Sequence, residues 1–129
     1  MRCLLDTHVF LWWISDDERL SESARKILAS GENELFLSAA SCWEIAIKAR
    51  LGKLDMPKKL DIFIADQLSD NAVQTMPVLA AHALHIYNLP DFHRDPFDRM
   101  IIAQAQLEGI PIVTSDPLVS RYDVQTLWG

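Results

Sequence analysis

Four acidic residues stand where an α/β chain would bring them together. Asp6 and Asp116 each follow a short apolar run of strand length, whereas Glu44 lies in the second turn and Asp98 in the first turn of segments with helical spacing. In a parallel sheet the carboxyl ends of all strands face one edge, where ligands bind and helix amino termini point. We therefore expect the four side chains to converge.

Such a cluster of carboxylates constrains its own chemistry. Carboxylates about 4 Å apart repel by roughly 4 kcal/mol per pair at an effective dielectric near 20, so the crevice requires protons, basic partners or a cation. Oxygen ligands without an organised set of His or Cys favour Mg²⁺ or Mn²⁺ over zinc. A bound ion of this kind can activate water against a phosphorus atom. The pattern predicts metal-dependent phosphodiester hydrolysis.

Each acid taken singly also has a structural explanation. Asp6 and Asp116 could cap helices, Glu44 could complete a capping box with Ser41, and Asp98 could favour the positive end of a helix dipole. The metal-site hypothesis therefore rests on the combination of four acids and not on any one of them.

Three neighbouring residues could support the acids indirectly. Thr7 and Ser115 could hydrogen-bond a carboxylate or a metal-bound water, although capping the local backbone explains them equally well. Asp95 precedes Pro96 and lies three residues before Asp98, which is the spacing of a helix cap, with metal contact as the alternative.

The basic residues and histidines near the acids also have more than one explanation. The candidates for contact with the phosphates of a substrate are Lys48, Arg50, Arg94 and Arg99. The alternative for these residues is a solvated surface. His82, His85 and His93 show no spacing suited to a metal shared with the acids, and we expect no catalytic role for them. His8 is best explained as a structural or surface histidine.

The elements that would position these residues alternate along the chain. Strands are predicted at 1–5, 34–38, 73–78, 110–114 and 124–128, and helices at 9–14, 21–30, 39–51, 61–69, 80–87 and 95–108. This alternation predicts an α/β fold with a mainly parallel central sheet and helices on both faces. Without a linker or internal repeat, residues 1–129 are expected to form a single domain.

The composition first argues against a nucleic-acid partner. Twelve Lys and Arg stand against 18 Asp and Glu, a net charge of −6, and phosphate binding depends on basic residues. Assigning four acids to a metal crevice leaves 14 against 12, so the remaining surface is nearly balanced. No apolar run approaches the roughly 20 residues of a membrane span. Two cysteines are too few for a disulfide scaffold, which indicates a cytoplasmic protein.

Four motifs resemble those of the PIN-domain nucleases, and more narrowly the VapC-type toxins of toxin–antitoxin pairs. They are LLDTH at 4–8, WEIAIK at 43–48, HRDPFDRMIIAQA at 93–105 and VTSD at 113–116. The resemblance implies an endoribonuclease whose acidic quartet binds Mg²⁺ or Mn²⁺, and by position the quartet is Asp6, Glu44, Asp98 and Asp116. It also implies a toxin homodimer and a VapB-like antitoxin whose tail blocks the active site.

Two other functions remain as alternatives. An aspartate-based phosphotransfer domain would also place an acid after its first strand. However, no second acid stands two residues after Asp6, and no Lys follows the strand at 110–114. The other alternative is a catalytically inactive module that uses its acidic crevice to bind a basic peptide.

Overall fold

Five parallel strands form the centre of the computed structural model, which describes residues 1–129. The strands are β1 (Arg2–Leu5), β2 (Glu34–Ser38), β3 (Val73–Met76), β4 (Ile112–Val113) and β5 (Thr126–Leu127). The helices are α1 (Thr7–Ile14), α2 (Glu22–Ala29), α3 (Ala39–Arg50), α4 (Leu60–Asp70), α5 (Ala80–His85) and α6 (Pro96–Glu108), with short 3₁₀ turns at Ile86–Asn88 and Val119–Arg121. The order across the sheet is β3-β2-β1-β4-β5 and every neighbouring pair is parallel.

Helices cover both faces of the sheet, as the alternation of β1 shows. Cys3 and Leu5 belong to a core that includes Phe10 of α1 and Ile45 of α3. Leu4, between them in the chain, belongs to a second core with Ile102 and other residues of α6. Successive strand residues point to opposite faces, so the central strand supplies both cores. The predicted α/β class is confirmed.

The connections create a crevice beside the central strand. The chain passes from β1 to β2 and β3 on one side, then crosses to β4 and β5 on the other. Ligands of open α/β sheets bind at such a switch point, outside the carboxyl ends of the strands. Asp6 directly follows β1 and Asp116 follows β4 by three residues, which places both at this point.

The sequence also predicts a short or edge strand before Pro77, a cap at Ser21 and helix ends at Gly109 and Gly31, and all but the last are confirmed. β3 lies at the edge of the sheet and ends before Pro77, which cannot donate to a strand ladder. Gly109 ends α6 in the left-handed conformation, with φ of 65°. Ser21 caps α2 by accepting from the amide of Ala24. The prediction that Gly31 ends this helix is wrong, because α2 already ends at Ala29 and Ser30 is its cap.

The helical spacing of Trp43, Ile47 and Leu51 predicts that these residues form one apolar face of α3, and this prediction is also wrong. Trp43 and Leu51, expected to pack inward with Ile47, are each 64% exposed. The buried residues of the helix are instead Ala40, Ser41, Glu44 and Ile45. The helix therefore turns a partly polar face inward, which a search for apolar periodicity could not detect. None of the helices combines the length and the apolar character needed to cross a membrane.

Candidate active site

Asp6 is a buried carboxylate held by two hydrogen bonds. Oδ1 accepts from the His8 amide at 2.8 Å, which caps α1, and Oδ2 accepts from the Thr114 hydroxyl at 2.7 Å. Burial by itself would raise the pKa of Asp6, but bonds from the His8 side chain, Thr114 and the His8 backbone outweigh it and lower the pKa below its ordinary value. Capping and a site for a cation are therefore compatible at Asp6.

Asp98 has the opposite electrostatic character. It lies in the first turn of α6, whose amino end is capped by Asp95 through bonds to the amides of Phe97 and Asp98 at 2.8 and 3.1 Å. Burial, followed by the charges of Asp6 and Asp95, raises the pKa of Asp98 to about 7. The crevice thus holds more carboxylate charge than it can keep ionised without a cation.

Asp116 is joined to Asp98 by a histidine. His93 Nε2 lies 2.9 Å from Asp116 Oδ2 and 3.1 Å from Asp98 Oδ2, while Asp116 Oδ1 accepts from the amide of Leu118. The expectation that no histidine has spacing suited to the acids is wrong for His93. The chain returns through α6 and β4 to bring residues 93 and 116 together. The position of His93 two residues before the Asp95 cap was the available signal.

Glu44 lies on the buried face of α3 and is 3% exposed. Lys48, one turn later, donates to Glu44 Oε2 at 2.5 Å, whereas Oε1 has no hydrogen-bond partner. The cap of α3 is Ser38, so the alternative of a capping box between Ser41 and Glu44 is wrong. The charge of Glu44 contributes to the raised pKa values of His8 and Asp98, which places it beside the crevice.

The acids meet at an open cleft of about 410 Å³. Its lining residues are Asp6, His8, Val9, Trp12, Arg19, Asp98, Ser115, Asp116 and Pro117. Three of the four predicted acids thus share one cleft, while Glu44 is not part of its wall. The sequence predicts that all four acids converge, and the structure brings Asp6, Asp98 and Asp116 together at this cleft.

The donor set fits a hard divalent cation. Side-chain atoms of His93, Asp98 and Asp116 that could bind a metal all lie within 4.8 Å of one another. The carboxylate oxygens among them are the ligands that Mg²⁺ and Mn²⁺ prefer. The unpartnered Oε1 of Glu44 adds a buried acceptor. Buried polar atoms in proteins are nearly always satisfied, so a positive partner is expected there.

The residues that support the acids differ from those predicted. The Thr7 hydroxyl donates to Ser41 Oγ at 2.8 Å, so it links α1 to α3 and contacts no carboxylate. Ser115 is exposed on the cleft wall and has no hydrogen bond there. Thr114 performs the predicted role instead, because it donates to Asp6 and accepts from the Asp116 amide at 3.1 Å. Its place at the end of the apolar run 110–114 was the signal that sequence reasoning missed.

The four candidate RNA contacts separate into two groups. Arg99, with a side chain 14% exposed, donates to the carbonyls of Pro90 and His93 and is wrong as a phosphate contact. Lys48 is engaged by Glu44. Arg50 and Arg94 are exposed and form no salt bridge, so both are free to meet phosphates.

Residues 3–125 match the PIN domain family. The chain belongs to this family. One relative, ribonuclease VapC22 of Mycobacterium tuberculosis, is 32% identical over 114 residues, which cover 88% of this chain and 85% of that protein. Ribonuclease VapC16 of the same organism is 39% identical over 61 residues, 47% of this chain and 43% of the relative. The resemblance to VapC-type PIN nucleases is thereby confirmed, and PIN nucleases generally use divalent metal ions.

Two solved structures share the fold of this PIN domain. VapBC2 from Rickettsia felis, bound to a DNA fragment from its promoter, has a TM-score of 0.72 at 16% identity and covers 98% of each chain. FitAcB from Neisseria gonorrhoeae has a TM-score of 0.64 at 17% identity and covers 97% of this chain and 96% of that one. At these identities the likeness concerns the fold alone.

Proposed function

We propose that this PIN domain is a Mg²⁺- or Mn²⁺-dependent endoribonuclease and the toxin of a VapBC-type pair, with residues 1–129 as one catalytic domain. The observation that carries the proposal is the meeting of Asp6, Asp98 and Asp116 at one cleft, where the pKa of Asp98 is raised to about 7. Both ribonuclease relatives support the reaction class.

The residues of the chain have distinct parts in this proposal. Asp6, Glu44, Asp98 and Asp116 would hold the cation, and Asp6 is kept ionised by its hydrogen bonds to His8 and Thr114. A cation held by these four acids would supply a water of lowered pKa and would stabilise charge on the departing oxygen. Arg94 is exposed and directly follows His93 in the chain, so its guanidinium can attract the RNA backbone.

Cleavage of a synthetic RNA by the purified protein tests this function. We expect cleavage with Mn²⁺ or Mg²⁺, none with a chelator, and a loss of at least about 100-fold for Asp98→Asn and Asp116→Asn, as removal of a metal's ligands implies. Asp66→Asn, on the exposed side of α4, is the matched control and should cleave normally. RNA left intact with either metal would overturn the proposal.

The two remaining alternatives predict different results with the same protein. An aspartate-based phosphotransfer domain would trap a phosphate analogue on Asp6. A catalytically inactive module would leave RNA intact, and wild type and Asp6→Asn would bind a basic peptide alike. A nuclease that binds a cation between these acids is expected to give neither the trapped phosphate analogue nor intact RNA.

A VapB-like antitoxin is the proposed protein partner. Support comes from the shared fold with VapBC2 and FitAcB and from the acidic cleft, where a guanidinium from a basic tail can replace the charge of a cation. A short basic peptide that contains Arg, the feature expected of such a tail, should inhibit cleavage. Its Arg→Gln variant should not, and equal inhibition by both peptides would contradict this arrangement.

We also propose a homodimer, supported by apolar surface around α3 and α6. Trp43, 64% exposed, stacks edge-to-face on Phe97 beside a groove of about 460 Å³ with an almost wholly apolar lining. Such surface favours burial against another chain. Light scattering should give a dimer for wild type and for the control Leu107→Lys, and a monomer for Trp43→Lys. A monomeric wild type would contradict the proposal.

A further inference from the structure

The two ring nitrogens of His93 have different partners. Nδ1 accepts a hydrogen bond from the backbone amide of Asp95 at 3.2 Å. Nε2 faces two carboxylates, Asp116 Oδ2 at 2.9 Å and Asp98 Oδ2 at 3.1 Å. A backbone amide can only donate, so Nδ1 must be without a proton, and the proton of the neutral ring is on Nε2. His93 therefore presents a single N–H group to both acids.

The backbone of His93 is fixed on both sides. Its amide donates to the hydroxyl of Tyr122 at 2.9 Å, and its carbonyl accepts from Arg99 at 3.2 Å. The Tyr122 hydroxyl donates in turn to the carbonyl of Pro90. The His93 side chain is 11% exposed. The ring thus has little freedom to leave the acids.

We propose that His93 is a positioning residue that sets the distance between the carboxylates of Asp98 and Asp116 before a cation binds. The inference rests on the proposed function, since it assigns those two acids to the cation. The Nε2–H group donates to Asp116 Oδ2, lies 3.1 Å from Asp98 Oδ2, and leaves the other oxygen of each acid for ligation. Hydrogen bonds from outer residues orient metal ligands in this way, and losing one costs about 10–100-fold in metal affinity.

The same geometry argues against His93 as a direct ligand. Ligation through Nε2 would require the ring proton to move to Nδ1, which then would point at the N–H of Asp95 across 3.2 Å. Two donors would face each other and the Asp95 bond would be lost. The amide that sets the tautomer belongs to the residue that also caps α6, so cap, tautomer and acid spacing form one arrangement.

Mn²⁺ binding, measured by calorimetry without RNA, tests this role. We expect His93→Ala to weaken Mn²⁺ binding by about 10–100-fold, and His93→Gln, whose amide can still donate, to recover most of the loss. His85→Ala is the matched control, because His85 bonds to Gln106, about two turns along α6 from Asp98. Wild-type affinity in a folded His93→Ala variant would overturn the inference.

Spectroscopy separates positioning from direct ligation and from failure of the nuclease proposal. Nitrogen NMR of the metal-free protein should show the neutral Nε2–H tautomer of His93, and an Nδ1–H tautomer would overturn the inference. Electron spin echo spectra of the Mn²⁺ form should show no directly bonded nitrogen, and such a signal, lost in His93→Ala, would make His93 a ligand. These readouts do not depend on RNA, so a protein that behaves as described but leaves RNA intact contradicts only the proposed function.

Discussion

Lys48 donates a hydrogen bond of 2.5 Å to Oε2 of the buried Glu44, one helical turn away on α3. The bond raises the pKa of Lys48, with burial opposing it and the charges of Glu44, Asp95 and Asp98 contributing. The ammonium therefore acts as an internal counter-ion for the crevice. It satisfies one oxygen of Glu44 and leaves Oε1 unpartnered.

Removing the counter-ion should destabilise the metal-free protein. In Lys48→Met the buried carboxylate of Glu44 loses its partner, and a buried group left unsatisfied costs about 1–3 kcal/mol. Lys48→Arg keeps the charge and should lose less. The Tm of wild type and Lys48→Met is measured in a chelator and again with Mn²⁺. We expect the difference between the two Tm values to be smaller when Mn²⁺ is present. An unchanged Tm for Lys48→Met in chelator would show that the pair contributes nothing.

Asp98→Asn should stabilise the metal-free protein in a pH-dependent way. The pKa of Asp98 is raised from 3.8 to about 7 by burial, Asp6 and Asp95. Because the folded-state pKa exceeds the unfolded value, this carboxyl favours folding fully below 3.8 and loses that contribution as the pH rises through about 7. We expect the Tm of Asp98→Asn to exceed that of wild type by several degrees in chelator at about pH 8, with the gap closing toward about pH 4.

Asp6→Asn is the matched comparison and should shift the Tm in the opposite direction. The pKa of Asp6 is lowered, since bonds from His8 and Thr114 outweigh its burial. The ionised carboxyl therefore contributes stability above its ordinary pKa of 3.8, and the contribution is lost as the pH falls. If repulsion between the acids alone determined stability, both Asp6→Asn and Asp98→Asn would have a higher Tm than wild type. Equal gains at about pH 8 would support that simpler account.

The sequence could predict the sheet and the meeting of acids because both depend on local pattern. Asp6 and Asp116 follow apolar strands, and parallel strands present their carboxyl ends at one edge. The neighbours of each acid depend instead on how helices rotate against the sheet. Thr7 and Thr114 are both hydroxyl residues next to strand ends, yet only Thr114 points at Asp6.

Arginines of the HRDPFDR motif show the same limit. Arg94 and Arg99 flank the acids at similar distances in sequence, and nothing in their residue type separates them. Arg99 lies in the first turn of α6 and donates to the carbonyls of Pro90 and His93, whereas Arg94 precedes the helix and is exposed. Likewise, the exposed Trp43 follows from α3 turning Glu44 inward.

Thr114→Val should reduce cleavage while preserving the fold. The hydroxyl donates to Asp6 Oδ2 and accepts from the backbone amide of Asp116. Its loss therefore removes an orienting contact from the Asp6 carboxylate and from the Asp116 backbone. Losing such an orienting bond lowers activity by about 10–100-fold. Thr114→Ser retains the hydroxyl and should remain close to wild type. Cleavage rates across a Mn²⁺ titration provide the test, and equal rates for Val and Ser would remove Thr114 from the site.

Arg94→Ala and Arg99→Ala should fail in different measurements. Arg94 is exposed and unpaired, so its removal should leave the Tm unchanged, weaken RNA binding, and reduce the slope of log affinity against log salt by about 1. Arg99 ties together the backbone carbonyls of Ile86, Pro90 and His93, so its removal should lower the Tm and affect binding only through the fold. RNA binding is measured in an Asp98→Asn background to prevent cleavage. A lower Tm for Arg94→Ala, or an unchanged salt slope, would place the phosphate contact elsewhere on the surface.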